Sequence, residues 1–518
     1  MQLFTPEAAI WQHLSDTVLP TYLKQSILLL VAVATGTLII GVSTAWLVTT
    51  YQFPGHRYFQ WLLILPMAMP AYIVAYAYTW WLDVSGPVQS MLRELNNWSF
   101  GDYYFPNIRS FGGAALVLIL VLYPYVYLLA RASFQQQSKR LFEAHQLSGG
   151  KHNTFFYRIA LPLARPAIFG GLVLVMMETL ADYGTVQYFG VNTLTTGILK
   201  TWFGMSSLGG AAQVASILLV MVILIMMLEN IFRGQSQYDV AANTSKQHFK
   251  TPLTSGKQWM ASCWCALIVS LGFFLPMVLL ALMAFRSTIN DWWGDFFLVT
   301  IDTLWVAALA AAVTLCTALF LMFLKRHNNK RSINYLIKSL SLGYAIPGLV
   351  IAVGVTIAFG WLDHSFNWVK MKFTDAPATL VFSGGFLALI SAYVIRFLAV
   401  AMQPIDAAYQ GIKANLDEVS LLTGHKNSKT FLLIHLPLLK SSLWTAMLLV
   451  FVDLLKELPA TLVLRPFNFN TLAVKAYELA SDERLADAAI PALSIVAVGL
   501  IPVLLLNQRI NKTHDNNP

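Results

Sequence analysis

EAHQLSGGKHNTFFYRIALP, from Glu143 to Pro162, occurs a second time in this chain as EVSLLTGHKNSKTFLLIHLP, from Glu418 to Pro437. The copies align without a gap at an offset of 275 residues, which pairs Glu143 with Glu418, Gly149 with Gly424, Ile159 with Ile434, Leu161 with Leu436, and Pro162 with Pro437. Each copy predicts a short helix that starts at an acidic residue and breaks at a glycine able to adopt the left-handed conformation. A second helix then follows and stops before the proline. We call these two helix-turn-helix segments the first and second knobs.

The composition places the knobs on a membrane protein. Hydrophobic residues make up 57% of the chain and charged residues 11%, with a mean hydropathy of +0.61. A soluble domain has roughly a quarter of its residues charged. The net charge of +9 fits loops that face an anionic membrane surface, and nucleic acid is not an expected partner.

Eleven apolar runs are long enough to cross a bilayer. Five precede a polar stretch, at 24–49, 59–81, 113–132, 163–185 and 211–232, and six follow it, at 259–285, 299–325, 334–361, 379–405, 437–458 and 488–508. The sequence therefore predicts an all-α polytopic bundle with a first half at 1–232, a cytoplasmic linker at 233–257 and a second half at 258–518.

The distribution of basic residues sets the orientation. Six spans separate the knobs, so both face the same side of the membrane. The loops on that side carry 22 Lys and Arg, whereas the loops on the opposite side carry 10. The positive-inside rule thus places the knobs, the linker and the C-terminus in the cytoplasm, and the N-terminus outside.

The repeat extends beyond the knobs. At the same offset Thr196 pairs with Thr471 and Lys200 with Lys475, so the halves read as parallel duplicates related by an axis along the membrane normal. The run at 259–285 has no partner in the first half, because its counterpart would precede Met1. We expect a trimmed, mis-started or divergent N-terminus.

The pattern E-A-x4-G-x9-I-x-L-P resembles the EAA loop of membrane subunits of ATP-binding cassette (ABC) importers. The resemblance implies a type I importer permease fold, in which each loop docks on one subunit of a homodimeric ATPase. The coupling role then falls on Glu143, Ala144 and Gly149 of the first knob and on Glu418 and Gly424 of the second. The aligned residues at the end of each repeat are expected to share it: Ile159, Leu161, Pro162, Ile434, Leu436 and Pro437. ATP and Mg would bind the ATPase, so this chain itself is expected to be no enzyme and to hold no cofactor. His145, Val419 and Ser420 replace alanines of the pattern.

Two further segments, Met177 to Phe203 and Asp453 to Leu485, resemble ferric-iron importer permeases of the Fbp/Sfu type. This resemblance implies a bacterial inner-membrane protein that receives Fe(III) from a periplasmic binding protein.

The same segments contain four carboxylates that repeat at the offset of 275, Glu178 and Asp182 in the first half and Asp453 and Glu457 in the second. Residues four apart share one face of a helix. A charge within a span costs about 3 kcal/mol on insertion scales and usually faces the bundle interior or a watery path. The carboxylates and Tyr183 are hard oxygen ligands that suit transient Fe(III) contact, although no firm metal site is expected. Alternatively, the acids pair with Lys456 and nearby backbone groups, or bind the periplasmic protein at the outer mouth.

Several alternatives share these features. Thiamine, polyamine or an oxyanion such as sulfate would suit an ABC permease, and a secondary transporter or a non-transporting membrane scaffold would explain the duplication. Pro66, Pro70 and Pro347 predict kinked spans, which either line the pathway or only pack.

Overall fold

A computed structural model describes residues 8–137, 139–148, 152–233, 251–287, 293–327, 331–374, 377–413, 415–424 and 426–515. Over these residues the chain is almost entirely helical, and two short strands, Tyr51–Gln52 and Thr251–Pro252, pair in parallel. Gly149 and most of the predicted linker, residues 234–250, lie outside the described residues.

Nine helices in the described part of the chain are long and apolar enough to span a bilayer. They are Ile10–Thr50, Phe111–Gln136, Phe156–Ala181, Leu208–Glu229, Ser255–Phe285, Gly294–His327, Gly348–Phe373, Phe386–Gly411 and Asn427–Leu455. A tenth crossing results if the bent pair His56–Ala68 and Ala71–Asn96 counts as one span, and Leu485–Ile501 is a shorter apolar helix. Helices thus overlap all eleven predicted runs, which confirms an all-α membrane protein.

Shorter helices connect these spans. They are Lys139–Leu147, Gly184–Tyr188, Leu194–Leu199, Arg331–Ser341, Asn415–Leu422, Pro459–Leu464 and Leu472–Ser481.

Prolines break two of the predicted spans. The bend between the helices on either side of Pro70 is 91°, which confirms a kink there. Pro347 directly precedes the helix Gly348–Phe373, so the span predicted at 334–361 begins at Gly348 instead. Proline has no N–H, and its ring clashes with the preceding helical turn, so one continuous helix does not form through Pro347.

The helices form two compact units, one of residues within 1–287, 479–496 and 503–518 and the other of residues within 288–478 and 497–502. In the first unit, Leu19–Thr50 packs against Phe111–Gln136 and Leu161–Ala181. In the second, Trp293–His327 packs against Phe386–Gly411 and Leu436–Leu455 in the same chain order. Each unit thus contains the same three-helix core, as a duplicated chain requires.

Small residues allow these helices to approach closely. In the first unit, a Cβ at Gly41 would lie 2.7 Å from the Cβ of Val126. In the second unit, the corresponding helices meet through fully buried alanines, among them Ala310, Ala311, Ala401 and Ala446.

The first unit includes the helix region 255–285, which follows the predicted linker. Ser262 donates a hydrogen bond to the carbonyl of Pro54 (2.8 Å), and Tyr78 donates one to the carbonyl of Leu271 (2.7 Å). Packing therefore crosses the boundary drawn between the halves at 232 and 258, and that boundary stays a prediction about the sequence repeat.

Candidate functional site

The first knob begins with the helix Lys139–Leu147, on which Glu143 and Ala144 are exposed and Phe142 is buried. The chain is described again from His152, where a helical turn leads through Phe156–Ala160 into the span. Gly149 falls in the gap, so its predicted turn lies outside the described residues.

The second knob has the same order of elements. The helix Asn415–Leu422 presents Glu418 and Val419 to solvent, and Gly424 follows with a φ of +80°. This is the left-handed conformation that the sequence predicts for the glycine. Asn427–Thr430 then leads through Phe431–His435 into the helix Leu436–Leu455.

The prediction that the second helix of each knob stops before a proline is wrong. Pro162 and Pro437 each occupy the second position of a helix that continues as a span. In both knobs a π-turn precedes the proline, and the N–H of Leu161 bonds to the carbonyl of Phe156, five residues back. The π-turn adds one residue to the helical turn before each proline, which accommodates a residue that has no N–H to donate. The knobs are thus continuous with the spans behind them.

The two knobs share one aromatic contact, Trp46 with Phe156 in the first and Phe323 with Phe431 in the second (ring centroids 5.1 Å apart), and differ at the residue before the knob's acid. In the first, Phe142 packs edge-on against Phe155 with ring centroids 5.1 Å apart, and Trp46 lies 4.8 Å from Phe156. In the second knob, Asp417 occupies the position that Phe142 has in the first, at the offset of 275.

Asp417 is the centre of an ionic network. Its carboxylate lies 2.6 Å from His435 Nε2 and accepts a hydrogen bond from Arg326 Nε at 2.9 Å. Arg326 also donates to the carbonyls of Tyr409 and Ile412. Burial raises the pKa of Asp417, but the hydrogen bonds from His435 and Arg326 outweigh it and hold this pKa below its usual value. Reasoning from the sequence missed this network, although an acid directly before Glu418 was its one visible signal.

The remaining predicted coupling residues lie at the bases of the knobs. Ile159, Leu161, Pro162, Ile434 and Leu436 are half-buried, whereas Pro437 is exposed. In both knobs, therefore, the described acidic helix is the more exposed part.

Asp182 and Glu457, which align in the repeat, have the same local role. Asp182 accepts hydrogen bonds from Thr185 Oγ1 (2.9 Å) and from the N–H of Val186 (3.1 Å). Glu457 accepts from the N–H groups of Ala460 and Thr461, both at 3.0 Å. Each carboxylate thus caps the short helix that follows a span, where unpaired N–H groups would otherwise remain.

The other aligned pair of acids is placed one helical turn earlier. Asp453 forms an ion pair with Lys456 at 2.9 Å, as the structural alternative expected. Glu178 is half-buried and Tyr183 is buried. Glu178, Asp182 and Tyr183 belong to the first unit, and Asp453, Lys456 and Glu457 to the second, so their convergence on a common path stays a prediction. Among the described residues, no group of three or more His, Cys, Asp or Glu side chains could hold a metal ion.

An arginine whose side chain is only 11% exposed lies beside Glu457. Arg396 Nη1 lies 4.0 Å from Glu457 Oε1, and Gly348 makes room for the pair, because a Cβ there would lie 2.4 Å from that nitrogen. Nη1 and Nε of Arg396 have no hydrogen-bond partner in the described structure. The sequence signals this residue only as a lone basic side chain inside a predicted span.

A charged cavity of about 640 Å³ opens in the first unit, near the start of the helix Phe111–Gln136, whose other end leads to the first knob. Arg109 forms its base, donating to both oxygens of Glu483 (2.6 and 2.7 Å) and to Asp83 (3.1 Å). The hydrogen bond from Arg109 lowers the pKa of Glu483. One side chain therefore joins three outer segments, at the ends of different helices.

Comparison with known proteins finds a family match for part of the chain. Residues 11–234 match the family described as "Binding-protein-dependent transport system inner membrane component". The chain is 26% identical over 492 residues to "Fe(3+)-transport system permease protein FbpB 2" of Haemophilus influenzae, covering 94% of this chain and 89% of that protein.

Other relatives match less of their own length. "Ferric transport system permease protein FbpB" of Actinobacillus pleuropneumoniae is 25% identical over 85% of this chain, which spans 64% of that relative, less than two thirds. "Sulfate transport system permease protein CysW" of Escherichia coli is 29% identical over 29% of this chain and 49% of its own length.

Proposed function

We propose that this chain, a multi-pass inner-membrane permease of the binding-protein-dependent transport class, moves Fe(III) into the cell as the membrane subunit of an ABC importer. The observation that carries the transport role is the pair of knobs, built from the same elements at the same points of a duplicated fold. Similarity to a protein named as an Fe(3+)-transport permease, over 94% of this chain, supports iron as the cargo.

The partners follow from the knobs and from the outer face. The exposed acids Glu143 and Glu418 would dock on the two subunits of a homodimeric ATPase, which binds ATP and Mg. A periplasmic binding protein would deliver iron on the opposite side. Hydrolysis would then drive alternating access, in which movement of the knobs opens the bundle toward one side and closes it toward the other.

The carboxylates divide into two classes by their contacts. In Asp182 and in Glu457, both carboxylate oxygens accept hydrogen bonds from N–H or hydroxyl groups of the helix that follows. Asp453 has a partly exposed Lys456 as its partner, and this pair can open at a modest cost. We therefore assign transient contact with iron to Asp453, and a structural role to Asp182 and Glu457.

Oxyanion transport is the main alternative cargo class. The sulfate permease CysW is similar over 150 residues only. An oxyanion site would present basic donors, whereas the repeated intramembrane groups here are carboxylates. A gradient-driven transporter would need no ATPase, and the assay below distinguishes it.

Uptake of radiolabelled Fe(III) into proteoliposomes tests the proposal. The vesicles would contain this chain with its candidate ATPase, with binding protein outside and ATP inside. We expect accumulation that requires all three components. ATPase stimulation without iron uptake would refute iron as the cargo but still support an ABC permease. Uptake driven by an ion gradient without the ATPase would refute the ABC role. The variant Asp453→Asn should reduce iron uptake more than the control variant Glu94→Gln, while the complex with the ATPase stays intact. Glu94 is an exposed acid on the outer side.

A further inference from the structure

An apolar groove of about 680 Å³ lies on the second unit between the helices Trp293–His327 and Leu436–Leu455. The first helix lines it with Ala312, Leu315 and Cys316, and the second helix supplies the other lining residues. The residues that matter here are Ala312, Cys316, Pro437, Lys440, Trp444 and Met447. Both helices are membrane spans, so lipid is the occupant that we consider.

The groove carries positive charge only. Lys440 is exposed and is the one cation among the lining residues, which include no carboxylate. The ion pairs of the described residues do not involve Lys440. This side chain therefore has its positive charge available for a ligand.

The depth of the groove matches one leaflet. Pro437 begins the span at the knob side, and Met447 lies ten residues further along the helix. At about 1.5 Å per residue this separation is about 15 Å, half of a hydrocarbon core of about 30 Å. The groove thus runs from the cytoplasmic headgroup level, marked by Lys440, toward the middle of the bilayer.

The first unit offers a matched comparison. Arg165 aligns with Lys440 at the offset of 275 and is also exposed. The long helices align at 277, because Ser26 and Thr303 each accept a hydrogen bond from the N–H of a helix-starting leucine. At that offset Ile39 stands where the second unit has Cys316. A branched side chain therefore replaces the small one that opens the groove.

We propose that this groove binds an anionic phospholipid of the cytoplasmic leaflet, with one acyl chain against Cys316 and Trp444 and the phosphate on Lys440. Acyl chains gain little by leaving other lipids, so selectivity comes from the headgroup. The cytoplasmic leaflet attracts each lysine by about 1 kcal/mol, which corresponds to about a five-fold preference for an anionic lipid. Pro437 belongs to the base of the second knob, so this lipid would touch the predicted coupling segment. The proposal does not depend on the cargo.

Native mass spectrometry of the full chain, released from bilayers of mixed phosphatidylglycerol and phosphatidylcholine, tests the site. We expect about five-fold enrichment of phosphatidylglycerol among retained lipids. Lys440→Gln should abolish the preference without removing bound lipid, and Cys316→Ile should reduce the lipid retained. Arg165→Gln is the control and should change neither quantity. A preference that survives Lys440→Gln, or one lost equally in Arg165→Gln, would overturn the proposal.

Cysteine reactivity gives a second readout that needs no substitution. Cys316 and Cys263 are both exposed, and Cys263 lies outside the groove. In phosphatidylglycerol bilayers a lipophilic maleimide should label Cys316 several-fold more slowly than in phosphatidylcholine, with Cys263 unchanged. Equal rates at Cys316 in the two lipids would contradict the site. So would a protein segment that remains in the groove after lipid exchange.

Discussion

Glu457 caps a helix and also lies beside Arg396, so we expect its charge to affect stability even if it never contacts iron. In Glu457→Gln one amide N–H group would replace an acceptor oxygen, and Arg396 would lose its anionic neighbour. We expect a loss of about 1–3 kcal/mol in the free energy of unfolding, typical of an unsatisfied buried polar group. Thermal unfolding of the purified chain would measure it.

Asp453→Asn is the matched control for that change. Asp453 and Lys456 are both partly exposed, and such ion pairs contribute about 0–1 kcal/mol. If Asp453→Asn destabilised the chain as much as Glu457→Gln, the division of the carboxylates into structural and cargo-facing classes would be wrong.

Asp417 gives the second knob a dependence on pH. Its folded pKa lies below the unfolded value of about 3.9, so its stabilising effect is fully present above that value and is lost as the pH falls through the folded pKa. We expect the stability difference between the wild-type chain and Asp417→Asn to be constant from neutral pH to about pH 5 and to shrink below about pH 4. Denaturation of both proteins across this range would test it, and a difference that vanished near pH 6 would contradict it.

At the scale of elements, Gly424 sets the turn of the second knob. A Cβ there would meet no atom within 4 Å, so the cost of a substitution comes from its φ of +80° alone. Gly424→Ala should cost about 1 kcal/mol, whereas Gly424→Asn should cost less, because Asn tolerates the left-handed conformation. ATPase stimulation by the two variants would show the same order. Equal losses would indicate a contact with the partner instead of backbone strain.

Local patterns account for what the sequence predicts correctly about these elements. The turn at Gly424, the kink at Pro70 and the acids four residues apart each depend on neighbours in the chain. The bond between Arg326 and Asp417 joins residues 91 apart, and no periodicity points to it. The continuous helix through Pro437 was mispredicted because a π-turn, which no local residue marks, accommodates the proline.

At the scale of the whole molecule, duplication predicts that each knob carries part of the coupling. Glu143→Ala and Glu418→Ala should each weaken ATPase binding about ten-fold or more, since a hydrogen bond to a charged group contributes about 1.5–3 kcal/mol. The double variant should lose ATPase stimulation. Binding of the ATPase to immobilised permease would measure this, with Glu94→Ala, on the outer side, as the unaffected control. A single variant as inactive as the double one would show that only one knob couples.

The packing of the whole chain was less predictable than its parts. Hydropathy does not predict that the helix region 255–285 packs within the first unit, because its apolar surface suits lipid and protein neighbours equally well. Hydropathy indicates which residues are removed from water, but it does not indicate which helix they pack against.

The unlike supports of the two knobs have a consequence for genetics. Both knobs belong to one polypeptide, so the Phe142–Phe155 contact of one knob and the Asp417 network of the other always occur together, in a ratio of one to one. If the two halves were separate copies of one subunit, mutant and wild-type copies expressed together would assemble into transporters with zero, one or two defective knobs. A substitution of Asp417 here instead yields a single molecular species, in which every transporter has one altered knob and one unaltered knob.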